Sequence, residues 1–465
     1  MKTLKFNTVV VGAGPGGYPC AIRLGQLGVE TLCIERDSWG GVCLNVGCIP
    51  SKALITAGKR MEEIRGASAM GISVGEPSID MVKLQEWKQG IVTKLTGGVA
   101  HLLKANKVET LKGNATFVGP KTLEVDTADG KVKVECENLV LATGSRPIEI
   151  PGFSYSDARI CDSTKALAFN EVPGRVVVIG GGYIGLELGQ MLRKVGAEVT
   201  VVEMSDDIMP GFDPDVVKLL SRKLKKSGIT VLRKTAAKGW EEGDDGAVVK
   251  VEGPDGAKEI PADAILVTVG RRPNSEGLEA TGVTIGANGQ IEVDSQLKTN
   301  VPGVYAIGDV AEGMMLAHKA SHDGEIAAEV IAGHNAHNDA KTVPAVVFTD
   351  PEIATAGMME HEAKAEGYEV KVGKMPFAAL GRAMTTNTTD GFIKVILDAE
   401  DDRVLGVTIT GPHASDLISE CALAVEMDAE AMDIGLTIHP HPTLGEGVME
   451  AAKAALGQAI HVVNR

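Results

Sequence analysis

The sequence predicts an α/β protein with two Rossmann-like dinucleotide-binding domains, each built on a parallel sheet, and a C-terminal α+β domain. Residues 6–35 and 174–203 each run from a β-branched strand through G-x-G-x-x-G into a helix and a second strand that ends in glutamate. From about residue 345 the apolar pattern becomes typical of an antiparallel sheet with helices. The 56 glycines and 3% aromatic residues suit tight turns and phosphate loops.

The first dinucleotide-binding pattern has its loop glycines at Gly12, Gly14 and Gly17, and its acid, Glu35, stands 18 residues after the last of them. The first glycine makes the turn, the second lets the backbone approach a pyrophosphate, and the third lets the helix pack on the strand. The helix N-terminus then faces the phosphates, and the glutamate accepts hydrogen bonds from ribose hydroxyls.

The second pattern repeats this spacing with Gly180, Gly182, Gly185 and Glu203. Two complete copies predict two bound dinucleotides, or one bound twice. Residues 204–207, Met-Ser-Asp-Asp, follow the second glutamate, and their negative charge would repel a 2′-phosphate. We therefore expect NAD rather than NADP.

Composition excludes several other classes of protein. The net charge of -16 disfavours nucleic acid and anionic membranes. Seven cysteines are too few for a disulfide scaffold. We find no long uncharged apolar stretch and no room for a targeting segment before the first strand, so we expect a cytoplasmic protein that does not span a membrane. The isolated cysteines, expected to be small buried residues, are Cys20, Cys33, Cys136, Cys161 and Cys421.

Cys43 and Cys48 are the only closely spaced cysteines, and a helical pattern begins just after them. A helix N-terminus stabilises a thiolate, so this pair is typical of a redox couple. A structural disulfide, a zinc site and incidental core cysteines are the alternatives, although no second Cys/His pair has zinc spacing and we expect no metal. Lys52 could place a positive charge near a reduced thiolate, or be a solvated helix lysine.

His441 lies in a His-Pro segment, and Glu446 follows it by five residues. This spacing suggests an imidazole held by a carboxylate, which raises its basicity and fixes its tautomer. A surface His-Pro turn is the alternative.

Six motifs occur in an order that resembles the pyridine nucleotide–disulfide oxidoreductase family over essentially the whole chain. They are GAGPGG, the Cys43–Cys48 pair, ATG at 142–144, GGGYIG, Gly308-Asp309 and HPTLGE at 441–446. The resemblance implies an FAD-binding domain in two parts, an NAD-binding domain and a C-terminal dimerisation domain. The boundaries that we predict are 1–150 and 271–345 for FAD, 151–270 for NAD and 346–465 for dimerisation.

The resemblance also implies roles for individual residues. Cys43 would exchange with the substrate, Cys48 would face the flavin, and Lys52 would pair with Glu187 beside it. His441, oriented by Glu446, would act on the cysteine pair of the other subunit of a homodimer. The implied FAD-binding residues are Gly12, Gly14, Gly17, Glu35, Lys52, Thr143, Gly144, Ser145, Asp309 and Ala317. The implied NAD-binding residues are Gly180, Gly182, Tyr183, Ile184, Gly185, Glu203 and Gly270.

Within the family, GGVCLNVGCIPSKAL and LAHKA most resemble members that oxidise a dihydrolipoyl group with NAD⁺. This implies as partners a lipoyl domain and the peripheral-subunit-binding segment of a 2-oxo acid dehydrogenase acyltransferase, or a role in glycine cleavage. Asp323 replaces an expected Glu and Gly445 a common Ser, and neither position carries a reacting group. A reductase of another small disulfide and a non-catalytic nucleotide-binding protein are the alternative functions.

Overall fold

The computed structural model describes residues 1–464. Its strands are β1 (Lys2–Val11), β2 (Thr31–Glu35), β3 (Glu109–Lys112), β4 (Asn114–Gly119), β5 (Thr122–Thr127), β6 (Gly130–Leu141), β7 (Ser145–Pro147), β8 (Ile160–Cys161), β9 (Arg175–Ile179), β10 (Glu198–Val202), β11 (Thr230–Leu232), β12 (Ala236–Gly243), β13 (Gly246–Gly253), β14 (Gly256–Ala262), β15 (Ala264–Val267), β16 (Arg271–Pro273), β17 (Val304–Ala306), β18 (Ala345–Val347), β19 (Glu352–Gly357), β20 (Val370–Pro376), β21 (Phe392–Asp398) and β22 (Val404–Gly411).

The α-helices are α1 (Gly17–Gln26), α2 (Gly41–Val46), α3 (Cys48–Gly66), α4 (Met81–Ala105), α5 (Ser163–Ala166), α6 (Tyr183–Val195), α7 (Pro214–Lys226), α8 (Ala317–Ile331), α9 (Glu360–Ala365), α10 (Gly381–Thr385), α11 (Ala414–Glu426), α12 (Ala431–Leu436) and α13 (Glu446–Ala455). They and the strands form two compact units, of which the first contains residues 1–150, 161–171 and 269–339. The second contains residues 151–160, 172–268 and 340–465.

The first unit is built on a seven-stranded sheet in the order β3-β2-β1-β6-β5-β4, with β17 also paired to β6. Strand β1 pairs in parallel with β2 and β6, and β17 pairs in parallel with β6. Val9 and Val10 are fully buried, as a strand covered on both faces requires. Helix α8 lies so close to the loop before α1 that a Cβ at Gly324 would be 2.4 Å from the carbonyl oxygen of Gly16.

The second unit contains a parallel sheet in which β11, β10, β9 and β15 are neighbours. The antiparallel meander β12-β13-β14 follows. An antiparallel sheet in the order β18-β19-β22-β21-β20 occupies the C-terminal part, and its core includes Phe377, Ile393, Ile409 and Val448. The predicted fold class, with its change from parallel to antiparallel sheet, is confirmed.

One helical stretch, Gly41–Met70, is long and apolar enough by length and composition to cross a membrane, and an 18-residue window within it has a mean hydropathy of 1.2. Length and composition alone are a weak indication, because the core helix of a soluble protein passes the same test. The stretch is interrupted at Gly47, whose φ of -136° and ψ of -111° are not helical. Its second half carries the charged run Lys59 to Glu63, which does not suit a lipid-facing helix.

Candidate functional site

The first glycine loop combines two tight contacts with one open position. Gly12 has a φ of +101°, and a Cβ there would be 2.1 Å from the carbonyl oxygen of Ala142. A Cβ at Gly17 would be 1.8 Å from the carbonyl oxygen of Gly12, whereas a Cβ at Gly14 would have no atom within 4 Å. Gly12 and Gly17 are therefore required by the fold, and Gly14 leaves open backbone at the start of α1, where a phosphate can bind.

The second glycine loop has the same construction. Gly180 has a φ of +108°. A Cβ at Gly185 would be 2.4 Å from the carbonyl oxygen of Gly180, while a Cβ at Gly182 would have no atom within 4 Å. Gly182 is the residue before α6, so the open position again lies at a helix N-terminus.

The two glutamates that follow these loops make matching hydrogen bonds. The Glu35 carboxylate accepts the backbone N–H groups of Ala13 at 2.7 Å and Asp37 at 2.8 Å. The Glu203 carboxylate accepts those of Gly181 and Ser205, both at 2.6 Å. Both side chains are buried. Each glutamate therefore braces its own glycine loop, a structural role in addition to the predicted contact with a ribose.

The other residues assigned to FAD surround the start of β7 and the turn after β17. The Thr143 hydroxyl donates to the carbonyl oxygen of Asn274 at 2.8 Å, and the Asn274 amide donates to the carbonyl oxygen of Thr143 at 2.9 Å. Gly144 has a φ of +71°, and the Ser145 hydroxyl donates to Asp309 Oδ2 at 2.5 Å. Ala317 begins α8.

These residues fit a flavin dinucleotide. Within residues 1–464, Asp309 Oδ1 has no hydrogen-bond partner, so one oxygen of this carboxylate can accept a hydroxyl of a ligand. The open backbone at Gly14 and the braced carboxylate of Glu35 supply the two other contacts that a dinucleotide needs. Asn274 and Arg271 were missed at the sequence level, where the only signal is the basic and polar turn GRRPN after an apolar strand.

The remaining residues assigned to NAD are divided between the two units. Tyr183 begins α6 and is exposed, and Ile184 follows it half-buried. Glu187 on the same helix is buried, and its carboxylate accepts the backbone N–H of Phe348 at 2.8 Å. Gly270 belongs to the first unit and has a φ of +129°. The pairing of Glu187 with Lys52, a residue of the first unit, stays a prediction.

The cysteine pair lies where α2 ends and α3 begins. Cys43 and Cys48 are half-buried, and their thiols are hydrogen-bonded to each other. This hydrogen bond and burial raise the pKa of Cys43, while the positive charge of Lys52 opposes the rise. The structure thus brings together the two predicted redox thiols and the predicted lysine, and it favours a proton on Cys43 when both thiols are reduced.

The five other cysteines differ in their surroundings. Burial raises the pKa of Cys20 and Cys136 to about 12 and that of Cys161 to about 11. Cys136 is only partly buried, and its thiol donates to the carbonyl oxygen of Lys121 at 3.6 Å, so the expectation that it is a buried residue is wrong. Thiols with such pKa values are unreactive near neutral pH. Among the residues described, no group of three or more His, Cys, Asp or Glu side chains could hold a metal ion.

The predicted imidazole–carboxylate pair forms in the C-terminal region. His441 Nδ1 lies 2.8 Å from Glu446 Oε1, and the Thr443 backbone N–H donates to Glu446 Oε2 at 2.8 Å. Burial acts to raise the pKa of Glu446, but these two hydrogen bonds and the nearby positive charge lower it below its usual value. The His441 side chain is 78% exposed, so its Nε2 is free to meet another molecule.

Two further histidine–glutamate pairs lie in the same region and were missed at the sequence level. His439 Nε2 lies 2.8 Å from Glu420, and its Nδ1 lies 2.9 Å from the carbonyl oxygen of Thr437. His461 Nδ1 lies 3.1 Å from Glu450, whose carboxylate also accepts the backbone N–H of His461. The His439 side chain is buried, unlike that of His441, so the exposed member of the two is the one suited to proton transfer with a substrate.

Comparisons with known proteins identify similar chains over the whole length. The model of the family described as pyridine nucleotide-disulphide oxidoreductase matches residues 6–324, and the model of its dimerisation domain matches residues 343–452. The chain is 51% identical over 464 residues to a dihydrolipoyl dehydrogenase of Geobacillus stearothermophilus, covering 99% of this chain and 98% of the relative. It is 50% identical over 463 residues to a dihydrolipoyl dehydrogenase of Bacillus subtilis (strain 168), covering 99% and 98%.

Solved structures with the same fold include two proteins at lower identity. LpdA from Mycobacterium tuberculosis has a TM-score of 0.89 at 26% identity, over 96% of this chain and 99% of that chain. The HOCl-induced flavoprotein disulfide reductase RclA from Escherichia coli has a TM-score of 0.86 at 25% identity, over 96% and 99%.

Proposed function

The chain belongs to the pyridine nucleotide-disulphide oxidoreductase family, and from this membership we propose that it oxidises dihydrolipoamide to lipoamide with NAD⁺. The reaction is dihydrolipoamide + NAD⁺ → lipoamide + NADH + H⁺. The observation that carries the proposal is the hydrogen-bonded Cys43–Cys48 pair beside Lys52, in a chain about half identical to dihydrolipoyl dehydrogenases.

The two cofactors are FAD and NAD. Gly14, Glu35 and Asp309 would hold FAD, and Gly182 and Glu203 would hold NAD. The open backbone at the two glycines and the hydrogen bonds of the three carboxylates support these roles. Bound FAD would supply the two-electron chemistry that links the reduced Cys43–Cys48 pair to hydride transfer to NAD⁺, and the cysteine pair would return to the disulfide. The protein supplies the thiols, the proton acceptor and the positions of the cofactors.

The dithiol is oxidised by two exchanges of sulfur. His441 of the partner subunit takes a proton from one substrate thiol, and the resulting thiolate attacks Cys43 Sγ. The Cys43–Cys48 bond breaks, and Cys48 leaves as a thiolate. The second substrate thiol then attacks the substrate sulfur bound to Cys43, which closes the lipoamide disulfide and releases Cys43 with a proton. The raised pKa of Cys43 favours this distribution, with one proton on His441 and one on Cys43.

Glu446 prepares His441 for this proton transfer. Its carboxylate faces Nδ1, so Nδ1 carries the hydrogen in the neutral imidazole and Nε2 is left as the acceptor. After proton transfer the carboxylate stabilises the imidazolium, because the opposite charges lie within 2.8 Å. When the reaction runs backwards, the protonated His441 returns this proton to the substrate sulfur.

Purified protein tests the proposal by its consumption of NADH with oxidised lipoamide, compared with NADPH and with glutathione disulfide. We expect fast turnover only with NADH and lipoamide. Cys43→Ser and Cys48→Ser should abolish it while FAD stays bound, and Cys136→Ser, which removes a partly exposed thiol outside the site, should leave it unchanged. Substantial turnover by either redox-site variant would refute the assignment.

The choice of substrate is tested separately from the family. Turnover with another small disulfide and none with lipoamide would show a disulfide reductase of different specificity. Bound FAD with no turnover of any disulfide would instead indicate a nucleotide-binding protein without this activity.

The dimerisation domain supports a homodimer. We further propose that the dimer works in the cytoplasm on a lipoyl domain and binds the peripheral-subunit-binding segment of a 2-oxo acid dehydrogenase acyltransferase. The net charge of -16 supports attraction to a basic binding segment. Calorimetric titration of the dimer with that segment, at low and at high salt, tests this. An affinity that does not fall at high salt would argue against an electrostatic contact.

A further inference from the structure

Arg271 and Arg272 are adjacent in β16 but have different surroundings. Arg271 Nε donates to Ser145 Oγ at 2.7 Å, and its Nη2 donates to the carbonyl oxygen of Ser145 at 2.8 Å. Arg272 is 64% exposed, and its one ion pair within residues 1–464 is a distant contact of 3.5 Å to Glu276. A guanidinium that forms two hydrogen bonds with one residue is fixed in orientation, so Arg271 is held against Ser145.

The direction of the next hydrogen bond follows from the chemistry of the three groups. A guanidinium can only donate, so Ser145 Oγ must accept from Arg271. The single hydrogen of the hydroxyl is then left for Asp309 Oδ2, which lies 2.5 Å away. Ser145 is only 4% exposed, so water does not compete effectively for this hydroxyl.

The backbone that carries Asp309 is also fixed from the other side. The backbone N–H of Gly308 donates to the fully buried carboxylate of Asp323 at 3.0 Å. Gln290 donates through its side-chain amide to the carbonyl oxygens of Ala311 at 2.8 Å and Gly313 at 3.0 Å. With its backbone fixed and Oδ2 engaged, Asp309 presents Oδ1 as its one oxygen without a partner in residues 1–464.

We propose that Arg271 is a positioning residue for FAD, acting through the Ser145 hydroxyl to hold Asp309 with Oδ1 directed at a hydroxyl of the flavin side chain. The proposal rests on the cofactor of the proposed function, and it gives Ser145 an indirect role rather than direct contact with FAD. The cation polarises the hydroxyl, which strengthens its bond to the carboxylate. Arg271 therefore affects the affinity for FAD without touching the reacting atoms.

The dissociation constant of FAD, measured by the recovery of flavin fluorescence on dilution of the holoenzyme, tests this inference without any substrate. Ser145→Ala and Arg271→Met should each raise it by roughly 10- to 100-fold, the effect of losing one charge-assisted hydrogen bond. The double variant should bind FAD no more weakly than the weaker-binding single variant, because both changes break the same chain of hydrogen bonds from Arg271 through Ser145 to Asp309. Arg272→Met is the matched control and should change it by less than about twofold.

Three results would overturn the proposal. These are an unchanged dissociation constant in Ser145→Ala or Arg271→Met, an equal effect of Arg272→Met, or fully additive effects in the double variant. Ser145→Thr keeps the hydroxyl and should retain most of the affinity, which a role in packing alone would not predict. If Arg271→Met does not fold, Arg271→Lys takes its place and should lie between Ser145→Ala and the unchanged protein. Because FAD binding is measured alone, a failure of the lipoamide assay would not change these outcomes.

Discussion

Gly182→Ala should separate NAD binding from folding. Gly182 has a φ of -77° and a ψ of 176°, a backbone conformation that alanine adopts without strain. In the described part of the chain, residues 1–464, no atom lies within 4 Å of the added Cβ. Alanine is a poorer residue than glycine just before a helix, which lowers stability slightly. It also reduces the conformational entropy of the unfolded chain, which raises stability by a similar amount. We therefore expect the free energy of unfolding to change by less than about 1 kcal/mol.

The effect on NAD should be much larger. The open backbone at Gly182 lies at the N-terminus of α6, where the N–H groups can bind a pyrophosphate. A methyl group there would hold the phosphates away from these donors. Each hydrogen bond to a charged group contributes about 1.5–3 kcal/mol. Losing one of them, about 2 kcal/mol, would raise the KM for NAD⁺ by roughly 30-fold.

The assay compares steady-state kinetics in NAD⁺ with flavin content and the thermal unfolding temperature of the same preparation. Gly185→Ala is the contrasting variant, because its Cβ would be 2.4 Å from the carbonyl oxygen of Gly180 and the loop would have to move. We expect it to unfold at a clearly lower temperature. A KM for NAD⁺ within twofold of the unchanged protein in Gly182→Ala would refute the reasoning, as would a loss of stability equal to that of Gly185→Ala.

Two other substitutions test the electrostatics of the second unit. Lys394→Met should lower the free energy of unfolding by about 3–5 kcal/mol, because Asp213, 2% exposed, would lose its buried cation. Urea titration measures this, and Lys364→Met, which removes a lysine whose side chain is 57% exposed, should cost less than about 0.5 kcal/mol. The pKa of Glu446 in the folded protein is lowered from its ordinary value of 4.5, although burial opposes this shift. The ionised Glu446 therefore stabilises the fold fully above pH 4.5, and this stabilisation is lost as the pH falls through the lower pKa of the folded state. Glu446→Gln should therefore flatten the acid limb of a stability curve measured by thermal unfolding between neutral and acidic pH, and an unchanged acid limb would contradict this.

The local parts of the fold were predictable because short-range sterics determine them. Gly12 has a positive φ, and a Cβ added at Gly17 would lie 1.8 Å from a carbonyl oxygen. The loop therefore accepts no side chain at either position, so its glycine spacing is visible in the sequence. The number of residues between each loop and its glutamate is set by one helix and one short strand, so this spacing could also be predicted from the sequence. The same holds for His441 and Glu446, which one tight turn brings together.

The chain of hydrogen bonds from Arg271 through Ser145 to Asp309 was not predictable in this way, because Ser145 is separated in sequence from its two partners by 126 and 164 residues. What brings them together is strand order. Strand β6 lies between β1 and β17, with Val11, Leu141 and Ala306 in register at the ends of the three parallel strands. The segments that follow these ends, carrying the glycine loop, Ser145 and Asp309, must therefore meet at one edge of the sheet. A sequence shows that each strand ends in a polar or glycine turn, but only the pairing of β17 with β6 determines which turns share a site.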